Sequence, residues 1–355
     1  MNLLIFRIGS IGDTSIALPA LWQIKRQFRT AYIHILTNFP VSTSGKESPL
    51  SQIIDGTGIA DSYLEYPAGQ LGLHELLRMR AKIRALHVQM LIYLMPTRSF
   101  TQLLRDWLFF KACGIKQIIG LKFSKNAQSR RYDQASGLWE HEANRLGRLI
   151  DQFGSINLSD SHALQLALTP AETSKARECL SVLCDRPFFA MSVGTKVAAK
   201  DWGEENWVEL TRQLSTLYLE YGLVFIGSHD EFDRCQRVAN HWPQVTLNLC
   251  GKLSPRVSAA VLGKAALFIG HDSGPMHLAA SVVTPVVAIF SARNKPGEWY
   301  PLGAGHRVLY NKIDCFGCSL DVCSVHQNKC ILGITVSSVV NAVAEILCRR
   351  YPNEY

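Results

Sequence analysis

Apolar residues fall in two rhythms along this chain. Short, nearly continuous apolar runs at 2–8 (NLLIFRI), 31–38 (AYIHILTN), 90–95 (MLIYLM) and 117–121 (QIIGL) predict strands buried on both faces, with a shorter strand near 62–65. Between them the spacing lengthens to that of helices. Ile16, Leu18, Leu21 and Ile24 mark the first, with Pro19 inside its early turns, and others are expected near 71–86, 99–113 and 142–154. The same alternation restarts at 188: strand FFAMSVG, helix EENWVELTRQLSTLYLEY, strand GLVFIG, a turn and helix to 242, a short strand at VTLNL and the helix SPRVSAAVLGKA. Residues 267–290 follow as strand, turn, helix and strand, and an amphipathic helix over VSSVVNAVAEILCRRY closes the chain.

Strands alternating with helices require parallel sheets wound on both sides, because a parallel connection needs a crossover. Two arrays in succession predict an α/β protein with two Rossmann-like, doubly wound domains facing across a cleft. The first is expected over 1–168 and the second over 188–335. A linker is expected at 169–187, where Thr169-Pro170 opens a helix with the T-x-x-E capping pattern. Two segments lack a clear period: the turn-rich stretch 38–51, read as a working loop, and 122–141, read as a mobile basic loop.

Charge sharpens the picture only in its distribution. The formal net charge is +8, and residues 1–170 hold 19 Lys and Arg against 12 Asp and Glu, leaving 18 against 17 for the rest. A basic first half suits an anionic partner such as a phosphorylated glycolipid or a membrane surface, although charge alone equally describes an ordinary solvated surface. No arginine-rich tail or nucleic-acid module accompanies it, so no nucleic-acid partner is expected. No apolar run reaches the ~20 residues of a membrane span, and the N-terminus does not read as a secretory signal, so the expected location is cytoplasmic.

Several familiar chemistries are missing. There is no GxxxxGK[ST] loop and no GxSxG elbow, and Gly303-Ala304-Gly305 follows no strand, so the dinucleotide fingerprint is absent. No D-x-D pair occurs to carry a divalent ion on a sugar donor. Polar residues remain at the predicted strand ends, where open α/β sheets hold ligands. Gly9, Ser10, Gly12 and Asp13 follow the first strand; Asp13 reads either as a helix cap or as a general base. Thr195 and Lys200 follow FFAMSVG, and the lysine reads as a solvated loop residue or as a partner for a diphosphate. Glu231 follows GLVFIG, where a carboxylate can accept ribose hydroxyls or simply pair with a helix start. In the last unit Asp272 or Ser273 can cap a helix, Gly274, Pro275 and Met276 open it, and its amides form a seat for phosphate, with His277 alongside.

Taken in order, RIGSIGDTSIALPAL, SVGTKVAAKDWGEENWVEL, FIGSHDE and GHDSGPMHLAASVVTPVVAIF resemble glycosyltransferase family nine, the ADP-heptose:lipopolysaccharide heptosyltransferases. The resemblance spans nearly the whole chain, and D-S-G-P-M-H-L-A at 272–279 is its most specific part. It implies a GT-B fold with the acceptor in the first domain, the nucleotide-sugar in the second, and a final helix, 336–355, crossing back to the first. It implies Asp13 as catalytic base, Lys200 on phosphate, Glu231 on ribose and Asp272 at the sugar. The implied activity is inverting, metal-independent transfer of a sugar, heptose from ADP-heptose being the family's usual donor, with no required cofactor. The acceptor would be a hydroxyl of a lipopolysaccharide core or similar envelope glycan, reached at the cytoplasmic face of the inner membrane. The alternatives are a different nucleotide-sugar, or a nucleotide-sugar-binding protein without turnover.

Four of the ten cysteines, Cys315, Cys318, Cys323 and Cys330, form C-x2-C-x4-C-x6-C. Four thiolates so close in sequence can fold round a zinc ion, with His326 as a substitute ligand. The spacing lacks a second C-x2-C, so packing thiols, reduced or partly disulfide-linked, are expected ahead of structural zinc, and no catalytic metal is expected.

Overall fold

The computed structural model describes residues 1–39, 48–66, 72–158, 160 and 163–350, of the last only the backbone. Most of the working loop read at 38–51 lies outside these residues. The chain forms two compact units, residues 1–133 with 140–167, and 134–139 with 168–355.

The first unit is built from β1 (Asn2–Phe6), α1 (Ile11–Gln27), β2 (Tyr32–Asn38), α2 (Ser51–Ile54), β3 (Ser62–Tyr66), α3 (Leu73–Ala85), β4 (Met90–Tyr93), α4 (Phe100–Ala112) and β5 (Gln117–Ile119). Then come the short α5 (Lys125–Gln128), β6 (Tyr132–Asp133), β7 (Leu138–Trp139) and α6 (Glu142–Leu149). All five strands of its sheet are parallel, in the order β3-β2-β1-β4-β5. Leu4 and Phe6 of β1 join Leu36, Leu91 and Tyr93 in one apolar layer, closed by Met79 and Ile83 of α3 and Leu103 and Phe110 of α4. The two-residue period of a strand sends Leu3 and Ile5, both fully buried, to the opposite face. Pro19 is buried within α1 and the helix runs through it.

The second unit holds α7 (Pro170–Leu180), β8 (Phe188–Ser192), α8 (Glu204–Leu217), β9 (Gly222–Phe225), α9 (Phe232–Ala239), β10 (Thr246–Asn248), α10 (Pro255–Leu262), β11 (Leu267–His271), α11 (Gly274–Ser281) and β12 (Val286–Phe290). It ends with β13 (Arg307–Tyr310), α12 (Lys329–Leu332) and α13 (Val336–Arg350). Its six parallel strands run β10-β9-β8-β11-β12-β13. The expected α/β class with two doubly wound sheets is therefore borne out.

Four local expectations meet a different structure. The stretch 169–187 is not a free connector: α7 packs on α10, and Glu172, which completes the Thr169 capping box, also accepts from Arg256 Nε at 2.6 Å and Nη2 at 2.9 Å. The basic segment 122–141 carries α5, β6 and β7, and residues 134–139 group with the second unit. Arg148 anchors its ends, donating to Glu140 and to the carbonyls of Asn126 and Ser129. The final helix, expected to return to the first domain, lies in the second unit, with Val339, Val343, Ile346 and Leu347 buried in that unit's core against α8. β13 has no counterpart among the expected strands; its RVLY is short and only half-buried, so its apolar signal is weak.

Candidate active site

Each sheet reverses its winding direction once, and the crevice left there at the carboxyl ends of the strands is the usual ligand position. In the first unit the reversal lies between β1 and β4. Arg7, fully buried one residue beyond β1, spans it: Nη1 donates to the Leu94 carbonyl at 3.0 Å and Nη2 to the Asp13 carbonyl at 2.7 Å. Ser10 caps α1 and Asp13 closes the capping box, its Oδ2 accepting from Ser10 N–H at 2.8 Å and Ser10 Oγ at 2.7 Å. Oδ1 stands 3.9 Å from Arg7 Nη2, and the Asp13 side chain keeps 26 % of its surface exposed. The carboxylate is thus pre-oriented yet open to solvent. The turn admits only glycine at position 9: a Cβ there would come within 2.5 Å of Asp13 Cβ. Gly9 N–H donates to Asn38 Oδ1, and Gly12 is buried in the first turn of α1.

In the second unit the reversal lies between β8 and β11. Asp272, buried beyond β11, accepts from Lys200 Nζ at 2.6 Å and Asn294 Nδ2 at 3.0 Å on Oδ2, while His277 Nε2 lies 3.6 Å from Oδ1. Burial opposes the charge on this carboxyl, but His277 and Lys200 outweigh it and hold the group down at about 2. Lys200 Nζ also donates to the Asp272 carbonyl at 3.0 Å. An ammonium has three donors, so one remains for a ligand.

Ser273 occupies the N-cap position of α11, yet its side chain makes no capping bond and Oγ is buried without a partner. The capping expected of Asp272 or Ser273 is therefore not made. Pro275 has no N–H, and His277 N–H is taken by the Ser273 carbonyl, so the seat expected for a phosphate reduces to the amides of Gly274 and Met276 at the helix start. Glu231 sits over the ends of β8 and β9. Oε2 accepts from Ser228 N–H at 2.8 Å, and its carboxyl presses on two glycines: a Cβ on Gly194 would lie 2.1 Å from it, and one on Gly227 2.2 Å from Oε2. Thr195 Oγ1 accepts from Val197 N–H, shaping the loop that leads to Lys200.

Four residues of these surroundings, His271, Asp201, Asn294 and Arg7, were not anticipated from sequence. His271 is fully buried, with Nε2 accepting from Trp202 N–H at 3.1 Å, so Nδ1 carries the proton toward the Gly194 carbonyl at 3.3 Å. Burial pushes this imidazole down to about 4 and it stays neutral. Both ends of the 194–202 loop hang on it. Asp201 pairs through both oxygens with Arg234, fixing the residue beside Lys200. Asn294 follows β12 and, like Arg7 beyond β1, could have been found by reading every polar residue at a strand end.

This geometry sits in a chain whose residues 100–328 match the model of glycosyltransferase family 9 (heptosyltransferase). The chain belongs to that family. Lipooligosaccharide heptosyltransferase 2 of Campylobacter jejuni is 23% identical over 343 residues, 95% of either chain. Among solved structures, a family 9 glycosyl transferase from Veillonella parvula superposes with a TM-score of 0.74 at 18% identity, covering 98% of this chain and 97% of its own. The ADP-heptose LPS heptosyltransferase II of E. coli superposes at 0.68 and 18% identity, covering 99% of each. The protein is a glycosyltransferase of GT-B fold.

The cysteine cluster of this family 9 member lies near the same loop. Cys315, Cys318, Cys323, Cys330 and His326 line one cavity beside Ala199, and all four thiols are free. Among the described residues no three His, Cys, Asp or Glu side chains are grouped to hold a metal ion. No described helix is long and apolar enough to cross a membrane.

Proposed function

We propose that this transferase moves heptose from ADP-heptose to a hydroxyl of a lipopolysaccharide-core acceptor, with inversion and without a catalytic metal. The observation that carries the donor assignment is the Lys200–Asp272 pair at the winding reversal of the second sheet, with the Gly274 and Met276 amides beside it. Lys200 and those amides would receive the diphosphate and stabilise the charge that grows on it as the glycosidic bond breaks. Asp272 holds the lysine in place and stands beside the sugar, while Glu231 accepts the ribose hydroxyls. Asp272 already meets Lys200, His277 and Asn294, and Glu231 the Ser228 amide, so protein cations, not a carboxylate-held ion, supply the positive charge. On the first unit Asp13 takes the acceptor proton. The acceptor oxygen, freed of its proton, then attacks the anomeric carbon from the face opposite the diphosphate, which leaves with the bonding pair. The heptose and the lipopolysaccharide acceptor follow the names of the Campylobacter and E. coli relatives.

The test is incubation of the purified chain with ADP-heptose and an isolated core acceptor, with product followed by mass spectrometry and anomeric configuration read by NMR. Transfer that persists in EDTA with inverted configuration supports the proposal. Binding of ADP-heptose with no transfer to any core acceptor would return the chain to a binding role. Transfer from another nucleotide-sugar alone would move the donor assignment. Asp13→Asn should cut kcat by roughly 10²- to 10⁴-fold while leaving the donor Kd unchanged.

A further inference from the structure

The net charge of the chain is confined to one stretch. Residues 73–125 hold ten Lys and Arg against two acids, Glu75 and Asp106, while all the other residues together hold 27 of each sign. Both acids are occupied within the first unit: Glu75 caps the start of α3, and Asp106 is buried on Tyr93 and Arg105. Arg78, Lys82, Arg84, Lys116 and Lys125 are exposed and form no ion pair among the described residues.

The same stretch exposes large apolar side chains in rows. The inner sides of α3 and α4 share one apolar layer on the first sheet. On their outer sides stand Leu73 and Leu77, 74 % and 52 % exposed, and Phe100, Leu104 and Leu108, 61 %, 39 % and 54 % exposed. Those spacings are one helical turn each, so each set forms a row on its helix. Phe123, 39 % exposed, adds its ring 5.6 Å from that of Phe100. Arg80 Nε donates to the Ala112 carbonyl at 2.8 Å and ties the two helices side by side.

Scattered exposed leucines are ordinary, but apolar rows on adjacent helices flanked by unpaired cations of one sign are not. An acidic protein partner would have to match both apolar rows and the cations around them in one fixed geometry. A bilayer carrying anionic headgroups needs only this combination: apolar side chains that enter the acyl boundary and long basic side chains that reach the phosphates around them. We propose that the outer face of α3 and α4, with Phe123, docks the protein on an anionic phospholipid membrane. The docking requires neither donor nor acceptor and stands apart from the function proposed above.

The test is flotation of the full chain, without substrates, with vesicles of phosphatidylglycerol and phosphatidylethanolamine and with vesicles of phosphatidylcholine alone. Binding should be confined to the anionic vesicles and weaken with added salt. Two variants, Leu77→Ser/Leu104→Ser/Leu108→Ser and Arg78→Glu/Lys82→Glu, should each lower the partition coefficient at least about tenfold while leaving ADP binding in solution unchanged. Equal binding to both vesicle types, or anionic binding that neither variant weakens, would overturn the proposal. So would a concentration-dependent dimer in sedimentation velocity, abolished by the serine variant, in a protein that ignores vesicles, because the rows would then belong to a second copy. Failure of sugar transfer with vesicle binding intact would count against the proposed function alone.

Discussion

Adjacent buried residues, His271 and Asp272, lose their contributions to stability in separate pH windows. The imidazole falls from its ordinary 6.5 to about 4, so the unfolded chain binds the proton first as pH drops. Its contribution is complete above the higher value and is lost between the two, roughly 3 kcal/mol at most. The carboxyl falls from 3.8 to about 2, so its contribution is complete above the unfolded value and is lost only as pH falls through the folded one. Urea midpoints measured against pH should therefore show a shallower slope between about pH 6.5 and 4 in His271→Gln, whose amide cannot take a charge. An unchanged slope would mean that the ring is not held neutral in the fold. Asp13 closes the capping box of α1 and is also the proposed base. Asp13→Ala removes the capping box along with the carboxylate and should lower stability by about 1 kcal/mol in denaturant titrations, whereas Asp13→Asn keeps an acceptor for Ser10 and should stay near the parent.

Among the elements, the carboxyl ends of β8 and β9 are where the backbone leaves least room. Gly194 and Gly227 both contact the Glu231 carboxyl, and a methyl group at either would displace it. Gly194→Ala and Gly227→Ala should each weaken ADP binding by calorimetry at least about tenfold, the scale of one displaced charge-assisted contact, with far-ultraviolet circular dichroism unchanged. Unaltered ADP affinity in both would remove Glu231 from the nucleotide site. The long central strands and helices were legible from apolar spacing because burial on both faces writes itself into β1, β4, β8, β11 and β12 as nearly unbroken apolar runs. The role of 169–187 was not legible. Its capping box marked a helix correctly, but the Glu172–Arg256 pair that docks it joins residues 84 apart. Glu172→Gln takes the paired carboxylate from the buried Arg256 guanidinium and should destabilise the second unit by roughly 2–4 kcal/mol in urea titrations.

At the scale of the whole molecule, each unit carries its own sheet, its own apolar core and its own winding reversal. Assigning the donor to the second unit makes a measurable claim about which amides a nucleotide protects. Saturating ADP should slow hydrogen exchange at residues 192–203, 227–231 and 270–277. Amides at 9–13 should keep their unliganded rates. Protection confined to 9–13 would exchange the roles of the two units. The excess charge of the molecule also lies in one unit, the basic stretch 73–125 falling wholly in the first.

The sequence by itself determined the class of the fold, because apolar period and strand-helix alternation leave parallel doubly wound sheets as the arrangement that buries those runs. It also marked Asp13, Lys200, Glu231 and Asp272, because ligands gather where strands end and these residues follow strands. Only the tertiary structure decided how those residues are held. Lys200 meets Asp272 across 72 residues, and His271 joins Trp202 to Gly194 across 69 and 77. Local spacing carries no trace of such contacts: they come from strand order, which sets β8 beside β11 although two strands intervene in the chain. The terminal helix, too, took its place by the side chains it buries against α8, and not by its position at the end of the chain.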